Sequence, residues 1–218
     1  TSKAFLNALA SALDYSAKLV VAFIITPFMV AGLGTFYYGA WQILLRFIGY
    51  MSPASGRPTQ ALKFVLAKEQ NSTDYDLKRT FIGSTLTVLA LFLPMLAILG
   101  ALISWFIPYW MGAPEPSVWI IRAACAILVI NLIAFTLMAI PQAVLEGENK
   151  GYKRMGLATA LVFLGGGFTW FALYLNTGII GVAFAALLAT VCQILFYLKV
   201  VKLYAPWFGV ARPSRQVV

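Results

Sequence analysis

The sequence predicts an all-α polytopic membrane protein, a bundle of six transmembrane helices. Three observations predict it. Of the 218 residues, 61% are hydrophobic and 11% are charged, with a mean hydropathy of +0.87. Soluble domains carry about 25% charged residues, and a chain this apolar cannot clothe a water-facing surface. Next, six apolar runs, roughly 15–33, 35–52, 80–107, 117–140, 155–175 and 178–198, approach or exceed the ~20 residues that cross a bilayer. Last, Lys and Arg outside those runs keep to alternate connections. The runs are continuously apolar and about twice as long as the ~10-residue alternating strands of a membrane barrel.

The first run carries Pro27 after Thr26 and ends at a tight break marked by Gly32 and Gly34. It is too long, and too closely followed by further spans, for a cleaved signal, so it reads as a retained span. The second run leads into the one long connection, Ser52 to Arg79. Within it, TQALKFVLAKEQ sets Leu62, Val65 and Leu66 on one helical face, which predicts a short amphipathic helix on the inner leaflet. NSTDYDLKRTF then supplies helix-capping residues. Its D-x-D pair, Asp74 and Asp76, reads as a cap or solvated loop rather than a metal site. The third run holds Pro94, which removes one helical hydrogen bond. The fifth holds three consecutive glycines, 165–167. These breakers accommodate close packing or provide hinges for alternating access.

Fourteen cations flank the spans: Lys3, Lys18, Arg57, Lys63, Lys68, Lys78, Arg79, Lys150, Lys153, Arg154, Lys199, Lys202, Arg212 and Arg215. All fall on one side of a six-span topology, and the positive-inside rule makes that side cytoplasmic, with both termini there. The net charge of +9 is thereby accounted for without nucleic acid.

Two cations, Arg46 and Arg122, remain inside spans, where a charge costs about 2.5–3.5 kcal/mol on insertion scales. Gly39, Gln42, Arg46 and Gly49 share one face. That small-and-polar stripe suits protein or a wet cavity, although Arg46 is also near enough to its helix end to snorkel. In a cavity, its guanidinium would match a phosphate. Arg122, near the outer end of the fourth span, either snorkels or makes a second anion contact. Asn131 is not on the Arg122 face but shares one with Met138 and Gln142. Thr80, Ser84 and Thr87 form a stripe on the third span, and Thr190, Gln193 and Tyr197 another on the sixth. Such stripes serve helix–helix hydrogen bonding, or join Gln42 and Arg46 in one polar cavity. The candidate substrate-binding residues are thus Arg46, Gln42, Arg122, Asn131 and Gln193.

The chain has no histidine, which excludes imidazole catalysis and imidazole metal ligation. Cys125 and Cys192 both sit in apolar runs without metal-binding spacing. Span interiors lack Asp and Glu, and Asp14 at the inner end of the first span has Lys18 four residues on. No paired carboxylates, serine triad or phosphate-binding loop is present. The reading is of a non-enzyme without a cofactor.

LGTFYYGAWQILLRFIGYMSPASG, followed by ALKFVLAKE, resembles the early part of the Wzx-like polysaccharide-biosynthesis flippases. These belong to the multidrug/oligosaccharidyl-lipid/polysaccharide (MOP) exporter superfamily. PQAVLEGENKGY is similar to that family's loop after the fourth span, and GIIGVAFAALL to its G-x-x-G-x-A-x-A opening of the sixth. SPASGRPTQ stands where an acidic, Gly-rich turn is usual. The resemblance implies about 12 to 14 spans in two pseudo-symmetric lobes of about six, with this chain as the N-terminal lobe. A second lobe, or a second copy, would complete it. The implied substrate is an undecaprenyl-diphosphate-linked oligosaccharide crossing the bacterial inner membrane for O-antigen, capsule or exopolysaccharide assembly. Arg46 and then Arg122 are the implied diphosphate contacts, and membrane lipids the surrounding partners. Rocking of the lobes, coupled to an ion gradient or the membrane potential, would move the substrate. The alternatives are a MATE-like small-molecule exporter of the same superfamily, a membrane enzyme and a non-transporting scaffold.

Overall fold

The path of the chain turns on Gly34. The computed structural model describes residues 2–51 and 58–212; Arg57, Arg215 and the 52–57 part of the long connection lie outside the described residues. The first helix, α1, covers Ser2–Met51, but Gly34 within it has φ 75° and ψ 165°. That region is open essentially to glycine alone, and there the helix divides into two limbs. The first limb lies along α5 (Gly151–Tyr174): a Cβ on Gly166 would lie 2.7 Å from Val21 Cγ1, and one on Gly32 3.2 Å from Leu173 Cδ2. The second limb lies along α4 (Glu115–Gly147). Tyr37 Oη and Ser117 Oγ are 2.9 Å apart at its start, and Met51 clusters with Leu132 at its finish. Since α5 returns the chain in the direction opposite to α4, the two limbs are antiparallel. The break expected at Gly32 and Gly34 is therefore made by Gly34 alone, while Gly32 gives close approach to α5.

The remaining helices are α2 (Pro58–Lys68), α3 (Tyr75–Trp110) and α6 (Gly178–Tyr204). Among the described residues there is no strand. Five helices are long and apolar enough to cross a membrane. The candidate segment of α1, at 40 residues, has length for two crossings of ~20 residues each, so the chain is a multi-pass membrane protein. Asp74 caps α3, its side chain accepting from Leu77 N–H at 2.9 Å. Asp76 pairs with Arg79 at 3.1 Å. Both aspartates of the D-x-D pair thus have local roles.

The connections gather at two ends. At one, Lys63 pairs with Glu146 and Lys78 with Glu148, each at 2.8 Å. Lys150 Nζ donates to the Tyr204 carbonyl at 2.7 Å, and Arg79 Nε to the Trp207 carbonyl at 2.8 Å. The connections holding Gly34, Gly112 and Asn176 lie at the other end, where no flanking cation falls. One buried core (Leu33, Trp41, Leu44, Ile107, Ile121, Ile179) fills that end. A second (Leu62, Leu66, Val144, Tyr197, Val201, Trp207) fills the cationic end.

The reading of α2 needs correction. Leu62 and Leu66 do share a face, but it is buried in the second core rather than laid on lipid. The reason is Gly147: with no side chain there, α4 comes so close that a Cβ would lie 2.6 Å from Leu66 Cβ. Phe64, 71% exposed, is the apolar side chain that α2 presents outward. In the glycine run of α5, Gly166 is likewise required by the approach of Val21, whereas Gly167 has open space around it.

Candidate functional site

The second limb of α1 carries two opposed faces. Ala40, Trp41, Leu44 and Met51 are buried. At ~100° per residue, Gly39, Gln42, Arg46 and Gly49 lie on the opposite side. Arg46 and Gly49 are exposed, and Gln42 is half-buried. Arg46 makes no hydrogen bond or ion pair to any described residue. It projects away from this bundle.

Gln193 stands elsewhere. It lines a cavity of about 280 Å³ with Asp14, Lys18, Gln142 and Tyr197, where the first limb of α1 meets α4, α5 and α6. Lys18 Nζ donates to Asp14 Oδ2 at 2.7 Å, while Asp14 Oδ1 is buried with no partner among the described residues. A carboxylate, two amides, an ammonium and a phenol thus converge near the cationic end. The Asn131 carboxamide is half-buried, its oxygen without a partner among the described residues, and it is not among the residues lining that cavity.

Arg122 is buried, at 8% exposure, so it does not snorkel. Its guanidinium carbon lies 3.9 Å from the centre of the Trp105 ring, 4.9 Å from Trp119 and 5.3 Å from Tyr109. One terminal nitrogen donates to the Tyr109 hydroxyl at 3.0 Å and toward the Trp105 carbonyl at 3.4 Å. Nε is buried with no partner among the described residues. Arg122 opens onto a groove of about 560 Å³ between α3 and α4, which Arg46 and Gln42 do not line.

Within this bundle Arg46 with Gln42, Gln193, and Arg122 stand in three separate places, and Asn131 lines neither the cavity nor the groove. The α3 stripe also turns inward on itself: Thr80 and Thr87 hydroxyls donate to the carbonyls of Asp76 and Gly83.

No protein-family model and no curated protein matches the sequence. Solved structures do. A MATE transporter in complex with MaD3S superposes with a TM-score of 0.75 at 18% identity, covering 99% of this chain and 50% of that one. A MOP-superfamily transporter from Pyrococcus furiosus Vc1 gives 0.72 at 17% identity, covering 98% and 47%. An outward-facing multidrug resistance MATE family transporter gives 0.67 at 19% identity, covering 99% and 49%. The chain spans about half the length of each.

The fold is that of half a MOP transporter.

Within this fold, the sequence reading named the charged residues but missed the aromatic ones around Arg122. The signal was present: Trp105 and Tyr109 are four apart on α3, and Trp119 precedes Arg122 by three on α4. Helical spacing of that kind puts each pair on one face. It also passed over Asp14 as a cavity residue, because its pairing with Lys18 already accounted for it.

Proposed function

We propose that this chain is the N-terminal lobe of an exporter that moves undecaprenyl-diphosphate-linked oligosaccharides across the bacterial inner membrane. A second lobe or a second copy would face it. The observation that carries the reading is the side of α1 opposite its packed residues, where Gly39, Gln42, exposed Arg46 and Gly49 form one stripe. Lipid is a poor neighbour for an arginine on a face it shares with an amide and two glycines. A cavity shared with a facing lobe suits it, and small residues leave room there for a bulky headgroup. The guanidinium fork matches a diphosphate in two-point contact. The half-transporter fold supports alternating access between such lobes. The cationic end is cytoplasmic by the positive-inside rule, so Arg46, five residues before Met51, meets the substrate as it enters.

One observation favours a second reading, a MATE-like exporter of small cations. Asp14 brings a carboxylate with a buried, unpartnered oxygen into the cavity of Gln142, Gln193 and Tyr197. One strain separates the two. Deletion of the gene should cause lipid-linked repeat units to accumulate, and wild-type but not Arg46→Gln protein should clear them at equal membrane abundance. Drug sensitivity without accumulation would replace the first reading with the second.

A further inference from the structure

Among the described residues two cations are buried, Lys78 and Arg122. They are treated differently. Lys78 has the Glu148 carboxylate at 2.8 Å. Arg122 has no carboxylate: its partners are a carbonyl, a phenol and three aromatic rings, all neutral. Glu115, the acid of the adjoining turn, lies seven residues earlier, about 10 Å along the helix, and makes no ion pair with it. A charge held in a membrane span without a counter-charge is costly. Nε is sealed inside the bundle, while the second terminal nitrogen makes no hydrogen bond to a described residue.

The surroundings indicate what supplies the missing anion. Arg122 sits at one end of the α3–α4 groove, whose floor is made by Ala97, Gly100, Ala101 and Ala126 and whose far end is closed by Ile130 and Ile133. At the base of the groove α3 and α4 approach closely, since the Val129 side chain occupies the space that a Cβ on Gly100 would need. Ala97, Ala101 and Ala126 are exposed, so the groove opens sideways from the bundle. From Trp119 to Ile133, α4 rises about 21 Å, enough for the ~15 Å of one leaflet's hydrocarbon. Trp105 and Trp119, both exposed at the Arg122 end, are the ring types that settle at headgroup depth.

We propose that this groove binds one anionic phospholipid, with an acyl chain on the alanine floor and its phosphate accepting from the terminal guanidinium nitrogen of Arg122 that makes no hydrogen bond to a described residue. The site is separate from the Arg46 face and does not depend on which substrate that face handles.

Native mass spectrometry of the full chain tests it, with phosphatidylglycerol and phosphatidylcholine of equal chain length as probes. One phosphatidylglycerol should stay bound at concentrations where phosphatidylcholine does not. Arg122→Gln should weaken retention about tenfold or more, the scale of a lost charge-assisted hydrogen bond. Ala126→Trp, which keeps the charge and fills the floor, should weaken it as much, whereas Lys68→Gln, at an exposed position of α2, should not. Glycerol phosphate without tails should fail to compete. Equal retention of the two lipids, unchanged binding in Ala126→Trp, or full displacement by glycerol phosphate would each overturn the proposal.

Discussion

Lys78 Nζ and Glu148 Oε1 lie 2.8 Å apart, with 2% and 10% of their side chains exposed. The pair is capped by the Trp207 ring, whose centre is 5.3 Å from the ammonium. It joins the start of α3 to the end of α4 and to the segment after α6. Lys78→Met should therefore destabilise the fold by about 3–5 kcal/mol, because it strands a buried carboxylate, while Lys78→Met with Glu148→Leu should recover most of the loss. Thermal unfolding in detergent measures both. A single variant as stable as wild type would show that the pair contributes nothing.

Gly34→Ala should cost about 1–3 kcal/mol, the strain of a side chain at its backbone angles. No atom lies within 4 Å of the new Cβ, so the whole effect is conformational. Gly39→Ala, also with open space around it but without a positive φ, is the matched control and should be near neutral. The comparison is made by unfolding midpoint.

Gly100→Ala should destabilise by about 1–3 kcal/mol through overpacking, since Val129 occupies the space its methyl needs. Adding Val129→Ala should relieve it. If the double variant is no better than the single one, the α3–α4 approach is not set by this contact.

The two ends can be told apart chemically. On a Cys192→Ser background, Glu115→Cys should react with a membrane-impermeant maleimide in intact cells. Lys68→Cys should react only after permeabilisation. Both positions are exposed, and Cys125 is buried. The reverse labelling pattern would invert the proposed orientation.

The helical passes were legible because each is a run of local composition, and Gly34 was legible because only one residue type tolerates its angles. The α2 face was legible as a pattern, but its burial depends on Gly147, some eighty residues away. Glu146 and Glu148 gave no sign of their partners Lys63 and Lys78 for the same reason. The shared face of Gly39, Gln42, Arg46 and Gly49 could be read from one helix, since a stripe needs no knowledge of its neighbours. The surroundings of Arg122 and Gln193 could not, because they come from α3 in one case and from three other helices in the other. Spacing along one helix does not say which face of another it will meet.

A reversal made by one residue also bears on how the protein is built. Between the limbs of α1 there is no polar loop to translocate. Each limb satisfies its backbone internally, so the ribosome can deliver them to the translocon as a single hairpin. In the proposed orientation Lys18 near the hairpin's beginning and Arg46 near its finish would stay on the side of synthesis, and neither cation would be dragged through the hydrocarbon. Lengthening the turn at Gly34 with polar residues would make the first insertion event a two-step one.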